Sequence, residues 1–415
     1  PGPIFILAFL AHSMGGSLAA KFHNRVLVLG AGSVSQCVVP ILLDKLVEPH
    51  QVTIVDFKDN RERFTSSINR GATYIIDKLT KENMDEFLNK YLSAGDFLLD
   101  LAWNIDANAI IGWAHDHGVL YLNTSVEEWE PYAGGSSRDP IERTLYYRHM
   151  RLREMKASWK EKGATAIVEH GANPGMVSHL VKRALIEIGT RALKESKASG
   201  AVEKAISDDN YPALAHALDV RVIHIAERDT QISDKPKRVD EFVNTWSVEG
   251  FYEEGIAPAE LGWGTHEEEL PQRGLAHTGD GPRNQILIQR AGMETLVRTW
   301  VPGADPARAA EEGLPTIGML IRHGEAFTMS DWLTVRRDDG SAQYRPTVYY
   351  AYCPSDSAIA SVHELRGNNW KHPERFRLLN NEIIRGEDRL GVLLLGHPLK
   401  AWWSGSLLGI DEARA

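Results

Sequence analysis

The sequence predicts an α/β protein in which an N-terminal Rossmann-type dinucleotide-binding domain precedes a second α+β domain with a mostly antiparallel sheet. Three observations predict this class. A glycine-rich turn joins a buried strand to a helix near the start, strands and helices alternate up to about residue 170, and period-two patterns take over from about residue 219. The length of 415 residues suits two or more domains.

The first strand, turn and helix lie in the segment RVLVLGAGSVSQCVVPILL. Gly30 allows a tight turn, and Gly32 lets a pyrophosphate approach the backbone. Ser33 and Val34 open the helix, whose free N–H groups and positive dipole end face the phosphates. Ser35 stands where the GxGxxG pattern has its third glycine. The segment predicts a dinucleotide site, and the alternative is an α/β turn that binds nothing.

The second strand, QVTIVDF, ends in Asp56. An acidic residue at this place binds the adenosine ribose hydroxyls and repels a 2′-phosphate, so NAD is the predicted cofactor. Lys58 and Arg61 follow closely and keep NADP open as an alternative.

Two later strands, GDFLLDLAW and GVLYLNTS, continue the dinucleotide domain. Ligands bind outside the carboxyl ends of parallel strands, so the turns 102–106 and 123–129 are expected to line the nicotinamide crevice. Asn104 and Thr124 lie in these turns and are predicted cofactor-binding residues. A long charged helix, SRDPIERTLYYRHMRLREMKASW, is expected to cross away from the crevice.

The segment VEHGANPGMVSHLVKRAL is typical of a strand end, a turn and a helix. Asn173 precedes a proline and should be extended, whereas Pro174 suits the first turn of the helix. Asn173 is then a helix cap or a ligand contact, and local sequence does not separate the two.

The second domain contains the alternating segments VRVIHIAERDTQ, EFVNTWSVEG, NQILIQR, TLVRTWVPG and YRPTVYYAYC. Hairpin turns are expected at Ala291–Gly292 and Asp339–Gly340. The predicted boundaries are 1–24 for an extra N-terminal segment that is disordered, 25–170 and 171–390 for the two domains, and 391–415 for a truncated segment that returns to the first domain.

The stretch NTWSVEGFYEEG places Trp246 among carboxylates. In a strand Trp246 and Glu254 would point to one face, because side chains alternate. An aromatic ring beside carboxylates suits an organic cation. The alternative is a core tryptophan with glutamates on the wet face of an edge strand.

Composition excludes some classes of function. The net charge of −10 argues against nucleic-acid binding and favours encounter with a polycation. Cys37 and Cys353 form no disulfide framework, so a reducing, cytoplasmic location is expected. His266, His277 and Cys353 lack metal-ligand spacing, and no metal is predicted. The apolar stretch near the start is too short to span a membrane.

Several motifs together resemble the bacterial homospermidine synthases of the saccharopine dehydrogenase-like group. The resemblance runs from about Arg25 to the end of the chain and rests on GAGSVSQ, YLNTSVEEW, GANPGMVSHLVKRAL, HIAERDTQ, FVNTWSVEGFYEEG, PAELGWGTHE, LIRHGEAF, YRPTVYYAY and GVLLLGH. It implies a homodimeric enzyme that oxidises putrescine to an imine with NAD. A second putrescine, or spermidine, displaces ammonia, and the retained hydride reduces the new imine.

The resemblance also implies site residues. It assigns Glu254 and Glu227 to the amine pocket, Glu127 to the nicotinamide end, and Trp246 to an aromatic face for the cationic intermediate. Asn173 and His323 match polar groups that border the pocket. For Glu227, a salt bridge with Arg228 or Arg221 is the structural alternative.

Two features depart from the family pattern. Asn104 stands where an aspartate is expected at the pocket entrance, a role that Asp106 could take over, and the chain ends at Ala415, sooner than the family does. The alternatives are therefore a carboxynorspermidine dehydrogenase-like imine reductase, whose substrate carboxylate would need an Arg or Lys in the pocket, and an inactive NAD-binding or polyamine-sensing protein.

Overall fold

The computed structural model describes residues 21–131, 138–277, 284–303, 315–409 and 411–412. The chain forms two compact units. The first ends at Arg138 and resumes over Tyr147–Met176, while the second contains Asp139–Tyr146 and the residues from Val177 onward. The predicted boundaries at 170 and 390 therefore differ from the observed division. The predicted extra segment 1–24 lies outside the described residues except for its last four.

The first unit contains a six-stranded parallel sheet in the order β3-β2-β1-β4-β5-β6. This order reverses direction between β1 and β4, which places a ligand crevice at their carboxyl ends. Its elements, with the two helices that continue into the second unit, are β1 (Val26–Leu29), α1 (Ser33–Lys45), β2 (Val52–Asp56), α2 (Thr65–Asn69), β3 (Thr73–Ile76), α3 (Met84–Tyr91), β4 (Phe97–Asp100), α4 (Ala107–His117), β5 (Leu120–Asn123), α5 (Leu145–Ser158), β6 (Ala166–Ile167) and α6 (Met176–Lys194).

Both faces of this sheet are buried, which is why its strands are continuous apolar runs. Val26 and Val28 of β1 belong to one core cluster, and Leu27 and Leu29 belong to another. Successive side chains of a strand point to opposite faces, so the two clusters lie on the two sides of the sheet. The predicted Rossmann-type domain is confirmed.

The second unit contains a nine-stranded mixed sheet. The main path is β11-β12-β10-β17-β7-β20-β21, and β14 pairs with both β17 and β13. The pair β7–β17 is parallel and the other pairs are antiparallel, as predicted. Its elements are α7 (Gly200–Ser207), α8 (Tyr211–Ala217), β7 (Val222–Asp229), β8 (Ile232–Ser233), β9 (Glu241–Asn244), α9 (Val248–Ile256), β10 (Pro258–Gly262), β11 (Gly274–Ala276), β12 (Gln285–Ala291), β13 (Leu296–Trp300), β14 (Pro315–Ile321), α10 (Gly324–Trp332), β15 (Val335–Arg336), β16 (Ala342–Tyr344), β17 (Thr347–Cys353), α11 (Asp356–Gly367), β18 (Arg375–Leu378), β19 (Ile383–Arg385), β20 (Glu387–Leu395) and β21 (Ala401–Gly409).

The segment around Trp246 is not a strand, contrary to the prediction. Strand β9 ends at Asn244, and α9 begins at Val248 after a cap in which the Ser247 hydroxyl accepts from Gly250 N at 3.1 Å. Four of the five buried residues of α9, namely Val248, Phe251, Tyr252 and Gly255, recur at the helical spacing i, i+3, i+4 and i+7, and Glu253 is the fifth. Trp246 and Glu254 therefore do not share the face of one strand.

Three smaller predictions need correction. Helix α6 begins at Met176, so Pro174 lies in the turn before it. Ala291–Gly292 is not a hairpin, because β12 pairs with β10 and β11 while β13 pairs with β14. The segment from 391 does not return to the first unit, because β20 and β21 pair with each other and β20 pairs with β7. The hairpin at Asp339–Gly340 is confirmed by β15 and β16.

Candidate active site

The glycine-rich turn of the first unit fits a dinucleotide pyrophosphate. Gly30 has φ +88°, and a Cβ there would lie 2.7 Å from the Leu101 carbonyl oxygen. Gly32 precedes α1, and a Cβ at Gly32 would meet nothing within 4 Å. Ser33 and Val34 form the first turn of α1. The turn thus leaves open space beside a helix N-terminus, where backbone N–H groups bind phosphate.

Two side chains fix this turn. Ser35, in the place of the third glycine, is fully buried, and its hydroxyl donates to the Gly30 carbonyl oxygen. Asp56 ends β2, and its Oδ2 accepts from Ala31 N at 2.7 Å while its Oδ1 accepts from Lys58 N at 2.8 Å. The Asp56 carboxylate is therefore held beside the turn, where the ribose-binding acid is expected.

The loop after β4 carries Asn104, which has φ +58°. Its buried Oδ1 accepts no hydrogen bond from the part of the chain that the structure describes. Asp106, the possible substitute for an entrance aspartate, caps α4 instead, because its Oδ1 accepts from Ala109 N at 2.9 Å.

A buried carboxylate lies beneath that loop. The two oxygens of Asp100 accept from Tyr121 Oη at 2.8 Å and from Ala102 N at 3.2 Å. Burial raises the pKa of Asp100 to about 6, although both hydrogen bonds act in the opposite direction. Asn123 Nδ2 in turn donates to Tyr121 Oη at 2.9 Å. This group was not predicted, although Asp100 is visible at the end of an apolar strand.

The remaining predicted residues of the first unit follow β5 and β6. Thr124 and Glu127 are half-buried in the loop after β5. Asn173 lies in the turn that closes with hydrogen bonds from Gly171 N to Pro174 O at 2.6 Å and from Met176 N to Gly171 O at 2.9 Å. Thr124 is next to this turn, because a Cβ at Gly171 would lie 3.8 Å from Thr124 Cγ2.

In the second unit, Glu227 is buried on β7 and is not part of a surface salt bridge with Arg221, which pairs with Asp219. Tyr350 on β17 donates its hydroxyl to Glu227 Oε2 at 2.8 Å. Burial, followed by the charge of Glu227, raises the pKa of Tyr350 well above its usual range. Tyr350 is thus a neutral hydrogen-bond donor to the carboxyl group of Glu227.

Trp246 borders the same face of the sheet. Its Nε1 donates to Tyr352 Oη at 2.9 Å, and its ring lies 5.8 Å from Phe251 between centroids. Tyr352 is opposite Glu227 in the β7–β17 register and stacks on Tyr350 at 5.7 Å. The tryptophan, two tyrosines and Glu227 together form an aromatic wall with a negative charge.

Glu254 lies on α9 and adds to this negative charge. Its charge contributes to the raised pKa of Tyr350 and to that of Arg322. Arg322 itself is 4% exposed and donates from Nη2 to Glu253 Oε1 at 2.6 Å. Burial by itself lowers the pKa of Arg322. The charges of Glu253, Glu260 and Glu254 raise this pKa by more, so it lies above its ordinary value.

His323 precedes α10 and is buried. Its Nδ1 lies 3.0 Å from Glu325 Oε2, and Ser178 Oγ donates to Glu325 Oε1 at 2.7 Å. The His323 ring lies 5.0 Å from that of Tyr350 between centroids. The structure therefore brings Glu227, Trp246 and His323 together around the two tyrosines of β17, and Glu254 acts on Tyr350 through its charge.

Two further carboxylates extend this group. Asp229 accepts from Thr245 Oγ1 at 2.5 Å and from Gln231 N at 2.8 Å. Asp388 on β20 is opposite Asp229, and burial, then the charges of Glu227 and Asp229, raise its pKa well above the usual range. Asp229 could have been found from its spacing of two from Glu227 on one strand, whereas Asp388 and Arg322 have no local signal.

Two kinds of feature are absent from the residues that the structure describes. No cluster of three or more His, Cys, Asp or Glu side chains could hold a metal ion there. No helix in that part of the chain is long and apolar enough to cross a membrane.

Comparisons with known proteins were made with the whole chain. Residues 26–167 match the family described as Saccharopine dehydrogenase NADP binding domain, and residues 171–408 match Saccharopine dehydrogenase C-terminal domain. The chain is 37% identical to homospermidine synthases of Mesorhizobium japonicum and Blastochloris viridis, over 95% of this chain and 79% and 80% of theirs.

A solved structure is similar as well. The homospermidine synthase of Legionella pneumophila, crystallised in complex with NAD, has a TM-score of 0.79 and 35% identity to this chain. The match covers 95% of this chain and 80% of that one.

Proposed function

Because this chain belongs to the homospermidine synthase family of the saccharopine dehydrogenase-like proteins, we propose that it condenses two molecules of putrescine into homospermidine. Spermidine is the alternative amine partner of putrescine. The net reaction releases ammonia and leaves the oxidation state of the cofactor unchanged.

The proposal rests mainly on the aromatic wall of the second unit and on the glutamates beside it. Glu227 is hydrogen-bonded by Tyr350, Trp246 is hydrogen-bonded to Tyr352, and Glu254 acts on Tyr350 by charge. Putrescine has two ammonium ends joined by an apolar chain. Carboxylates pair with its charges, and aromatic faces attract a cation while packing on its methylenes.

The cofactor best supported is NAD. The matching family is described with NADP, whereas the similar solved structure contains NAD. Asp56 favours NAD, because a 2′-phosphate would meet a carboxylate held in place by two backbone N–H groups. Gly30, Gly32 and the first turn of α1, with Ser33 and Val34, would hold the pyrophosphate, and Asn104 and Thr124 would contact the nicotinamide half.

The residues of this chain have distinct tasks in the proposed reaction. When bound, NAD supplies a hydride acceptor and returns the same hydride later. Glu254 would anchor the ammonium that stays charged, and Glu227 would remove the proton that the reacting amine must lose. The face of Trp246 would stabilise the cationic imine, and the buried aromatic wall would exclude water that hydrolyses it. His323 would hold or move a proton beside Tyr350, and Asn173 and Glu127 are the proposed polar groups of the first unit.

The alternative, an imine reductase whose substrate carries a carboxylate, has one observation in its favour, the buried Arg322. A substrate carboxylate needs a cation whose charge is available, but Arg322 is already bound to Glu253 at 2.6 Å. The acidic surroundings of Arg322 therefore favour an ammonium over a carboxylate.

We also propose that the enzyme is a cytoplasmic homodimer. Cys37 and Cys353 are free, which suits a reducing compartment. Light scattering coupled to size-exclusion chromatography would give twice the mass of one chain for a dimer.

The experiment that tests the function is incubation of the purified protein with putrescine and a small molar fraction of NAD, with amines identified by mass. Homospermidine should accumulate far beyond the amount of NAD, with no net NADH. Absence of homospermidine, or NADH formed in proportion to product, would reject the proposal.

A further inference from the structure

Asp100 is a buried carboxylate at the edge of the cofactor crevice. It is the last residue of β4, and parallel pairing places it opposite Leu29 of β1 and Asn123 of β5. Leu29 is followed by the glycine-rich turn, and Asn123 is followed by Thr124, a proposed contact of the nicotinamide half. Neighbouring strands of a sheet lie about 4.8 Å apart. Asp100 therefore lies between two segments that are proposed to hold the cofactor.

The loop that follows β4 packs on the glycine-rich turn. Leu101 N donates to the Leu29 carbonyl oxygen at 2.9 Å, and a Cβ at Gly30 would lie 2.7 Å from the Leu101 carbonyl oxygen. Asp100 accepts from Ala102 N at 3.2 Å, so its carboxylate is bonded to this loop. The carboxylate and the pyrophosphate turn are thus adjacent at one edge of the sheet, where parallel α/β sheets bind their ligands.

Asp100 has no positively charged partner among the residues that the structure describes. Asp100 is 6% exposed, and its oxygens accept from the Tyr121 hydroxyl at 2.8 Å and from Ala102 N. Tyr121 is neutral, because burial raises its pKa well above the usual range, and the other charge that acts on Tyr121 is that of Asp106, the cap of α4. An ionised carboxylate that is buried without a cation is unfavourable. A positive group bound in the crevice would offset this cost.

The nicotinamide ring of the proposed cofactor is such a group. The ring is positively charged in NAD and neutral in NADH, because it accepts a hydride on reduction. We propose that the Asp100 carboxylate makes the site select the oxidised form of the cofactor, by favouring NAD over NADH through its negative charge. The inference rests on the proposed function, in which NAD is retained through the cycle. Return of the hydride restores the positive ring, so a site that prefers NAD favours this step.

The direct test is Asp100→Asn, with the Kd for NAD and the Kd for NADH measured by calorimetric titration of cofactor-free protein at about pH 7.5. The Kd for NADH divided by the Kd for NAD should fall about tenfold, the order expected when one of two interacting charges in a partly buried site is removed. The asparagine keeps an oxygen that can accept from Ala102 N. Damage to the loop would weaken binding of both forms and leave their ratio unchanged.

Asp96→Asn is the matched control. Asp96 precedes the other end of β4, is 5% exposed and pairs with Arg25 at 2.7 Å. The control removes a buried carboxylate from the amino end of the same strand, away from the crevice. The ratio of the two Kd values should stay at the parent value in this variant, whatever its effect on stability.

The dependence of this ratio on pH is a second readout. Burial raises the pKa of Asp100 to about 6, so Asp100 is neutral well below this pH and ionised well above it. In the parent, the Kd for NADH divided by the Kd for NAD should therefore rise between about pH 5 and about pH 7.5, because the charge that favours NAD appears. The rise should be smaller in Asp100→Asn. An equal rise in the two proteins would contradict the inference.

Two further results would overturn the inference: a parent ratio in Asp100→Asn at about pH 7.5, or an equal fall of the ratio in Asp96→Asn. Formation of homospermidine by the parent, measured alongside, distinguishes this failure from failure of the proposed function. Homospermidine formation together with an unchanged ratio in Asp100→Asn rejects the inference alone. A parent that binds neither NAD nor NADH rejects the proposed cofactor, and the inference with it.

Discussion

Tyr350 interacts with two glutamates of the second unit, with one by a hydrogen bond and with the other through its charge. Its hydroxyl donates to Glu227 at 2.8 Å, and its pKa is raised by burial, by Glu227 and also by Glu254. Because Tyr350 stays protonated, it can stabilise the ionised form of Glu227. An amine bound near Tyr350 would be in the field of both carboxylates.

Glu254 and Glu227 should affect different kinetic constants. A hydrogen bond to a charged group contributes about 1.5–3 kcal/mol, so its loss should cost roughly tenfold to a hundredfold. Glu254→Gln should mainly raise the KM for putrescine, whereas Glu227→Gln should mainly lower kcat because it removes the base. Both variants should bind NAD as the parent does. Parent kinetics in both variants would place the amine pocket elsewhere.

Trp246 should act through its aromatic face. A cation over a desolvated ring gains about 2 kcal/mol or more. Trp246→Phe should keep part of the turnover, and Trp246→Ala should lose much more. Both variants lose the bond to Tyr352, so Tyr352→Phe is the control for that bond. Equal turnover in the two Trp246 variants, with unchanged thermal stability, would mean that Trp246 only packs.

Sequence alone could identify Glu227, Trp246 and Glu254 as candidates, because each lies in a distinctive motif. It could not identify Arg322 or Asp388 as neighbours of these residues. The contact between Arg322 and Glu253 joins the residue after β14 to α9. The position of Asp388 opposite Asp229 depends on the register of β20 with β7. Such contacts depend on tertiary structure, which no local pattern encodes.

Among the elements, the turn between β1 and α1 and the end of β2 decide the cofactor. Asp56→Ala removes a charge and two hydrogen bonds to the backbone. Binding of NAD should weaken more than binding of NADP, so the Kd for NADP divided by the Kd for NAD should fall. Calorimetric titration with both cofactors checks this ratio, with the exposed Asp59→Ala as control. Tighter binding of NADP than NAD by the parent would contradict the assignment.

The stability of the folded protein should depend on pH through Asp100, which lies at the end of β4. Burial raises the pKa of Asp100 in the folded protein to about 6, above its ordinary value of 3.8, so its contribution to stability is present below pH 3.8 and lost as pH rises through 6. The loss is about 3 kcal/mol at most. Asp100→Asn should therefore gain stability relative to the parent between pH 4 and 7, measured as the difference in melting temperature. A constant difference across this range would show that Asp100 has an ordinary pKa.

Helix α9 replaces the strand that was predicted around Trp246, while Glu254 on this helix stays a proposed site residue. The period-two interpretation placed Trp246 and Glu254 on one strand face, but the buried residues of α9 follow the helical period. The alternation of apolar and polar residues in NTWSVEGF is short, and the Ser247 cap starts a helix three residues after β9 ends. Phe251 of α9 packs against Tyr352 of β17, with 5.4 Å between the ring centroids, so α9 lies beside that strand.

At the scale of the whole molecule, the sequence predicts the fold class but not the residues at which the chain divides into its two units. Parallel strands buried on both faces and the glycine-rich turn are strong local signals for the first unit. Residues 139–146 group with the second unit because Leu145 N and Tyr146 N donate to the carboxylate of Glu260, which is 115 and 114 positions away, respectively. The strands after residue 387 join the second sheet through pairing with β7. Both assignments depend on long-range hydrogen bonds.

The central claim is that a hydride taken from one amine is returned to the new imine without leaving the enzyme. Putrescine that is fully deuterated at both carbons next to nitrogen tests it, in the presence of NAD and an excess of unlabelled NADH. The homospermidine formed should retain every deuterium, as read by mass. Homospermidine in which one deuterium has been replaced by hydrogen would show that the cofactor exchanges during the cycle, and would contradict the claim.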